Sequence, residues 1–82
     1  MRKNMCGPQI KIAREMLRDG DKVGVTQEVL AARVQLILNQ ETPMNGQKVY
    51  RIEKGLTKVS DIDLWAFSKA LEQSVAWLLG EE

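Results

Sequence analysis

The sequence of 82 residues contains no histidine and a single cysteine, Cys6. Without them the chain cannot form a disulfide framework, a Cys/His zinc site, or a Ser-His or Cys-His catalytic arrangement of its own. The acidic residues do not cluster at helical spacing in a way that suggests a shared acid–base site. We therefore expect a protein that is not an enzyme and that has no metal, cofactor or small-molecule substrate.

Long apolar runs are also missing. The longest, residues 75–79, is far shorter than the roughly 20 residues that a membrane-spanning helix needs. Residues 1–9 include cations but are not followed by an apolar stretch of signal-peptide length. The sequence predicts one small cytoplasmic domain, residues 1–82, with its packed core between residues 7 and 80.

Charge is nearly balanced overall but unevenly distributed. The chain has 12 Lys and Arg and 11 Asp and Glu, a net charge of +1. Residues 45–58 carry a net charge of +3, whereas residues 59–82 carry −4. The basic segment is a candidate nucleic-acid surface, although a small protein can show such asymmetry by chance.

Apolar residues recur three or four positions apart, which predicts five helices and no strands. Pro8 suits a first helical turn, and Thr26, Asn45, Ser60 and Ser74 are predicted N-caps. The second helix is expected over residues 26–38 and the third over residues 45–54. The predicted inward-facing residues are Ile10, Ala13, Met16 and Leu17 in the first helix, Leu30, Val34, Ile37 and Leu38 in the second, Val49 and Ile52 in the third, Ile62, Ala66, Phe67, Ala70 and Leu71 in the fourth, and Val75, Trp77 and Leu78 in the fifth.

The third helix has the pattern of a DNA recognition helix. Gly55 supplies a left-handed residue to end it, and Gln47, Lys48 and Arg51 face away from its apolar side. Gln and Arg side chains match adenine and guanine edges in the major groove. We predict that these three residues and Asn45 read bases. For Lys48, a contact with a DNA phosphate is as well supported as a contact with a base. An ordinary solvated helix is the alternative.

Four segments in this order carry a family resemblance: TQEVLAARV from residue 26, VYRIEKG from 49, VSDIDLWAFSKAL from 59 and SVAWLLG from 74. Together they closely resemble the helix-turn-helix domains of the phage Cro and repressor (XRE) family. The resemblance implies an all-α, compact five-helix bundle of the lambda-repressor-like kind. It further implies a transcription regulator, most often a repressor, that binds a double-stranded DNA operator as a homodimer.

The resemblance also assigns roles to individual residues. Gln27, at the start of the second helix, is expected to bind a DNA phosphate. Lys54, Thr57 and Lys58 fall where relatives grip the DNA backbone beyond the recognition helix. Arg14 and Glu53 match positions that form a partly buried structural ion pair.

The connection between the second and third helices departs from the family pattern. It is about eight residues longer than usual, with the excess in residues 36–44. We expect an extra turn of the second helix followed by a loop, from which Asn39, Gln40 or Thr42 could also touch DNA.

A protein-interaction module of the same fold is the competing prediction. It would be an antitoxin-like protein or an adaptor that binds a partner through the acidic C-terminal segment and binds DNA weakly. Trp65, Trp77 and Leu79 are candidate residues of a dimer interface, with membership of the core as the alternative.

Overall fold

The computed structural model describes residues 1–39 and 43–81. This part of the chain is compact and mostly helical. The elements, in chain order, are α1 (Gly7–Met16), β1 (Arg18–Asp19), β2 (Lys22–Val23), α2 (Gln27–Leu38), α3 (Gly46–Glu53), α4 (Asp61–Leu71) and α5 (Val75–Leu78).

The two short strands correct the prediction of a wholly helical protein. β1 and β2 pair antiparallel, with Arg18 opposite Val23 and Asp19 opposite Lys22. Gly20, with φ of 63°, reverses the chain between them. Strands of two residues are too short to show an alternating pattern, and both are exposed, so apolar periodicity could not reveal them.

The four predicted N-caps are all present. Each side-chain oxygen accepts a hydrogen bond from the main-chain NH three residues later: Thr26 from Val29, Asn45 from Lys48, Ser60 from Asp63, and Ser74 from Trp77. These bonds satisfy donors that have no partner inside their own helix. They place the helix starts within one residue of the predicted positions.

The core lies between α2 and the helices around it, because α2 packs against both α3 and α4. Two residues predicted to face inward are instead exposed. Ile62 is 53% exposed, because the inner side of α4 is centred on Ala66 and Phe67 and leaves Ile62 outside. Met16 ends α1, and the following Leu17 takes the buried position. The side chains that are fully buried are Phe67, Ile10, Leu30, Ile52, Leu71, Leu78, Val34 and Val49.

Helix α2 extends to Leu38, which confirms the predicted end of the second helix. Asn39 ends it in a left-handed conformation, with φ of 54°. The predicted DNA contacts of Gln40 and Thr42 lie outside the described residues. Within the two described segments, no helix is long and apolar enough to cross a membrane.

Candidate nucleic-acid interface

Helix α3 is held close to the start of α2. A Cβ atom added at Gly46 would overlap the carboxylate end of the Glu28 side chain, so a larger residue at position 46 would require that side chain to move. Asn45 caps α3, and Gly55, with φ of 76°, allows the chain to turn away after it. The local sequence therefore determines both ends of the helix.

The two sides of α3 differ sharply. Val49, Ile52 and Glu53 are buried, whereas Gln47 and Arg51 are exposed. At about 100° per residue, Tyr50 and Lys54 fall on the same exposed side as Gln47 and Arg51. We call the surface formed by Gln47, Tyr50, Arg51 and Lys54 the outer face of α3.

A shallow depression of about 320 Å³ borders this outer face. Its lining contains all four predicted base-reading residues together with Thr57, which was predicted to bind phosphate: Asn45, Gln47, Lys48, Arg51 and Thr57. The structure thus brings together side chains that are spread over 13 positions of the sequence.

Lys48 is less available than its neighbours. Its Nζ donates a hydrogen bond to the Pro43 carbonyl at 3.3 Å and lies 3.5 Å from Oδ2 of Asp63. The side chain of Lys48 is 31% exposed. Gln47 and Arg51, by contrast, extend from exposed positions on α3.

The predicted ion pair between Arg14 and Glu53 is present and largely buried. Nε and Nη2 of Arg14 donate to the two carboxylate oxygens of Glu53 at 2.7 and 3.1 Å. Nη1 of Arg14 also donates to the carbonyl of Val25 at 2.8 Å. The side chains are 13% and 3% exposed, so α1 is tied to the end of α3 in a region of low dielectric.

Gln27 joins this network rather than extending into solvent. Its Nε2 donates to Oε1 of Glu53 at 3.0 Å, and the residue is half-buried. A phosphate bound at the start of α2 would therefore meet mainly main-chain NH groups and the positive end of the helix dipole.

A second depression, of about 420 Å³, borders the outer face of α3 at Tyr50 and Lys54 and is rich in cations. Its lining residues are Arg2, Pro8, Lys11, Arg14, Gln27, Tyr50, Glu53 and Lys54. Arg2 and Lys11 are exposed basic residues that the sequence interpretation did not assign to this site. Lys11 lies three residues before Arg14, so helical spacing could have placed both on the same side of α1. Arg2 precedes the first helix, and no periodic pattern predicts its position.

The segment of residues 2–6, which precedes α1, docks on the C-terminal end of α3 through hydrogen bonds from its first three residues. Arg2 Nη2 donates to the Glu53 carbonyl at 2.9 Å, and the NH of Lys3 donates to the Gly55 carbonyl at 2.9 Å. Asn4 Nδ2 donates to the carbonyls of residues 52 and 57. Among these acceptors, the Glu53 carbonyl belongs to the last turn of α3, where carbonyls lack a partner within the helix.

Cys6 lies within this docked segment and is buried. Loss of hydration on burial raises the pKa of its thiol, so the reactive thiolate is disfavoured.

The remaining predicted phosphate ligands lie at and beyond the end of α3. Lys54 is exposed, and its Nζ lies 5.8 Å from the centre of the Tyr50 ring, within range of a cation–π interaction. Lys58 is exposed and Thr57 is half-buried. Lys54 shares the cationic depression with Arg2 and Lys11, and Lys58 adds a positive charge beyond the end of α3.

Comparisons with protein families, with curated proteins and with solved structures found no match.

Proposed function

We propose that this protein is a sequence-specific DNA-binding transcription regulator, most simply a repressor, whose α2 and α3 form a helix-turn-helix unit of the kind that XRE-family proteins use. The observation that carries the proposal is the division of α3 into a buried side and an outer face. The buried side holds the helix against α2, and the outer face presents hydrogen-bonding side chains in one direction.

Gln47 and Arg51 are the proposed base-reading residues. They lie one helical turn apart, so both can enter the same major groove. Arg can donate two hydrogen bonds to guanine, and Gln can pair with adenine through its donor and acceptor. Tyr50, on the same face, supplies an aromatic ring for contact with a sugar or a thymine methyl group.

The proposed phosphate contacts come from the two depressions and from the segment that follows α3. Lys54, Thr57 and Lys58 lie beyond the end of α3, and Arg2 and Lys11 lie beside it. The start of α2, with its unpaired NH groups, provides a further contact near Gln27. Such contacts orient the protein on the duplex without selecting a sequence.

Reading a full operator requires two copies of α3. A homodimer would place them about 34 Å apart, one turn of the duplex. Trp65, at 47% exposed, and the neighbouring Ile62 form an apolar pair on the outside of α4 that suits a subunit contact. Trp77 and Leu79 are half-buried and pack against the core, which makes them less suited to this role.

The test is DNA binding measured by fluorescence anisotropy, on random duplexes and on a sequence enriched from them, at several salt concentrations. We expect Gln47→Ala and Arg51→Ala each to reduce the preference for the enriched sequence by about 1 to 3 kcal/mol. If four phosphates are contacted per subunit, the log-log salt slope should be about −3.6 for a monomer and about −7 for a dimer.

Gln73→Ala and Arg18→Ala are matched controls. They remove the same residue types from positions outside both depressions on α3 and should leave the preference unchanged. Equal and weak binding to all sequences, unaffected by Gln47→Ala or Arg51→Ala, would contradict the proposal.

The exposed pair Ile62 and Trp65 also favours a second function, an interaction module that binds another protein. In that case Trp65→Ala would abolish partner binding, whereas Gln47→Ala and Arg51→Ala would have no effect on it. The DNA measurement separates the two functions directly.

A further inference from the structure

Asp63 is a buried carboxylate in the first turn of α4. Its side chain is 5% exposed, and its main-chain NH donates to Oγ of the capping Ser60. Oδ1 of Asp63 has no hydrogen-bond partner among the described residues. A charge removed from water needs compensation, and here the carboxylate receives little from its surroundings apart from the dipole of α4.

The compensating cation is Lys48 of α3. Its Nζ lies 3.5 Å from Oδ2 of Asp63 and donates to the Pro43 carbonyl, so two oxygens contact the ammonium group. This ion pair is shielded from solvent mainly at Asp63, and the attraction is therefore stronger than between two exposed charges.

The position of Lys48 matters because it borders the outer face of α3. A lysine that extended freely from this flank would reach a DNA phosphate, and each phosphate contact strengthens binding to every sequence alike. Gln47 and Arg51 would then contribute a smaller share of the total affinity.

We propose that Asp63 is a positioning residue that holds Lys48 away from the DNA backbone and so keeps binding to non-operator DNA weak. This inference rests on the proposed function. It changes the role predicted for Lys48 from a DNA contact to a partner of Asp63. It also makes Asp63 a determinant of specificity, because the useful quantity is the ratio of operator to non-operator affinity.

The test compares salt slopes on a random duplex for the wild type, Asp63→Asn, Lys48→Ala and the double variant. Asn keeps the shape of Asp63 but releases Lys48, so the slope should steepen by about 0.9 per bound subunit. The loss of affinity between 50 and 200 mM salt then grows by about 3.5-fold. The double variant should return to the wild-type slope, and Lys48→Ala alone should not change it.

Asp61→Asn is the matched control. Asp61 lies in the same helical turn but is exposed, so its substitution removes an equal charge without releasing Lys48. We expect the slope of this variant to equal that of the wild type. Equal steepening by Asp61→Asn and Asp63→Asn would overturn the proposal, because the effect would then be one of net charge.

Two further results would overturn it: an unchanged slope for folded Asp63→Asn, or a slope flattened by about 0.9 for Lys48→Ala. If the wild-type protein binds no duplex at all, the proposed function fails together with this inference. If it binds duplex but the slopes disagree with these expectations, only the inference about Asp63 fails.

Circular dichroism establishes which variants are folded. If the Asp63→Asn variant is unfolded, the rate of lysine acetylation in the wild-type protein, with and without DNA, tests whether Lys48 contacts the duplex. Random duplex should slow the labelling of Lys54 and Lys58 and leave Lys48 unchanged, whereas equal protection of all three would overturn the proposal.

Discussion

Glu53 accepts hydrogen bonds from two other helices through a side chain that is 3% exposed. Arg14 reaches it from α1 and Gln27 from α2. A buried ion pair adds little net stability over an apolar pair, but removing one partner leaves the other charge buried without compensation. The fold of α3 against its neighbours therefore depends on all members of this network being present.

Arg14→Ala should be strongly destabilising. It leaves the Glu53 carboxylate without its cation, at a cost of roughly 3 to 5 kcal/mol in unfolding free energy. For a domain of this size, the melting temperature should fall by about 12 °C or more. Thermal unfolding followed by circular dichroism measures this directly.

Arg33→Ala is the control for that variant. Arg33 pairs with Asp19 at 3.1 Å, but the two side chains are 36% and 54% exposed, and such surface pairs contribute at most about 1 kcal/mol. A melting temperature that falls equally in both variants would show that burial of the Arg14 pair has no energetic effect.

Some residue roles could be predicted from the sequence and others could not. The Arg14–Glu53 pair followed from family resemblance, and the exposure of Gln47 and Arg51 followed from helical spacing. The burial of Asp63 could not be predicted. An acidic residue in the first turn of a helix is normally exposed to solvent, where it interacts favourably with the helix dipole. Its burial depends on the tertiary packing around the first turn of α4, including the contact with Lys48.

At the scale of elements, the docking of residues 2–6 connects the start of the chain to the end of α3. The segment has no regular structure and no apolar period, so its position could not be predicted from local pattern. The helices, in contrast, carry capping residues and periodic apolar side chains that specify them locally. The β1–β2 hairpin has no capping residue and no apolar period, so the sequence did not predict it.

Gly55→Ala should disturb this docking. A Cβ there would lie 2.6 Å from Cζ of Arg2, and the φ of 76° already disfavours alanine. We expect a loss of about 1 to 2 kcal/mol from the backbone conformation, and a further loss from displacement of Arg2. Urea unfolding measures the total change in the free energy of unfolding.

Gly80→Ala isolates the two contributions. Gly80 has φ of 79°, close to that of Gly55, but a Cβ there would meet nothing within 4 Å. The difference between the two variants therefore measures the contact with Arg2. Equal losses would indicate that the contact with Arg2 contributes nothing to stability.

At the scale of the molecule, the described residues include a cationic surface beside α3 and the exposed apolar pair Ile62 and Trp65 on α4. If the second surface joins two subunits, sedimentation at tens of micromolar should give twice the 9.3 kDa of one chain. Trp65→Glu should halve that mass, since it places a charge in an apolar contact.

Ile12→Glu is the control for the dimer prediction. Ile12 is an exposed apolar residue on α1, and its substitution should leave the mass unchanged. A wild-type monomer at these concentrations would contradict a preformed dimer but would leave association on DNA open to the binding measurement.

The separation of α3 into a structural side and an outer face has a consequence for how this protein can evolve. Substitutions at exposed positions such as Gln47 and Arg51 cost little stability, typically within about 0.5 kcal/mol. Under the proposed function, new operator preferences would therefore arise by exchange of these side chains while Val49, Ile52 and Glu53 stay unchanged. A library randomised only on the outer face should consist mostly of folded proteins that differ in the DNA they select.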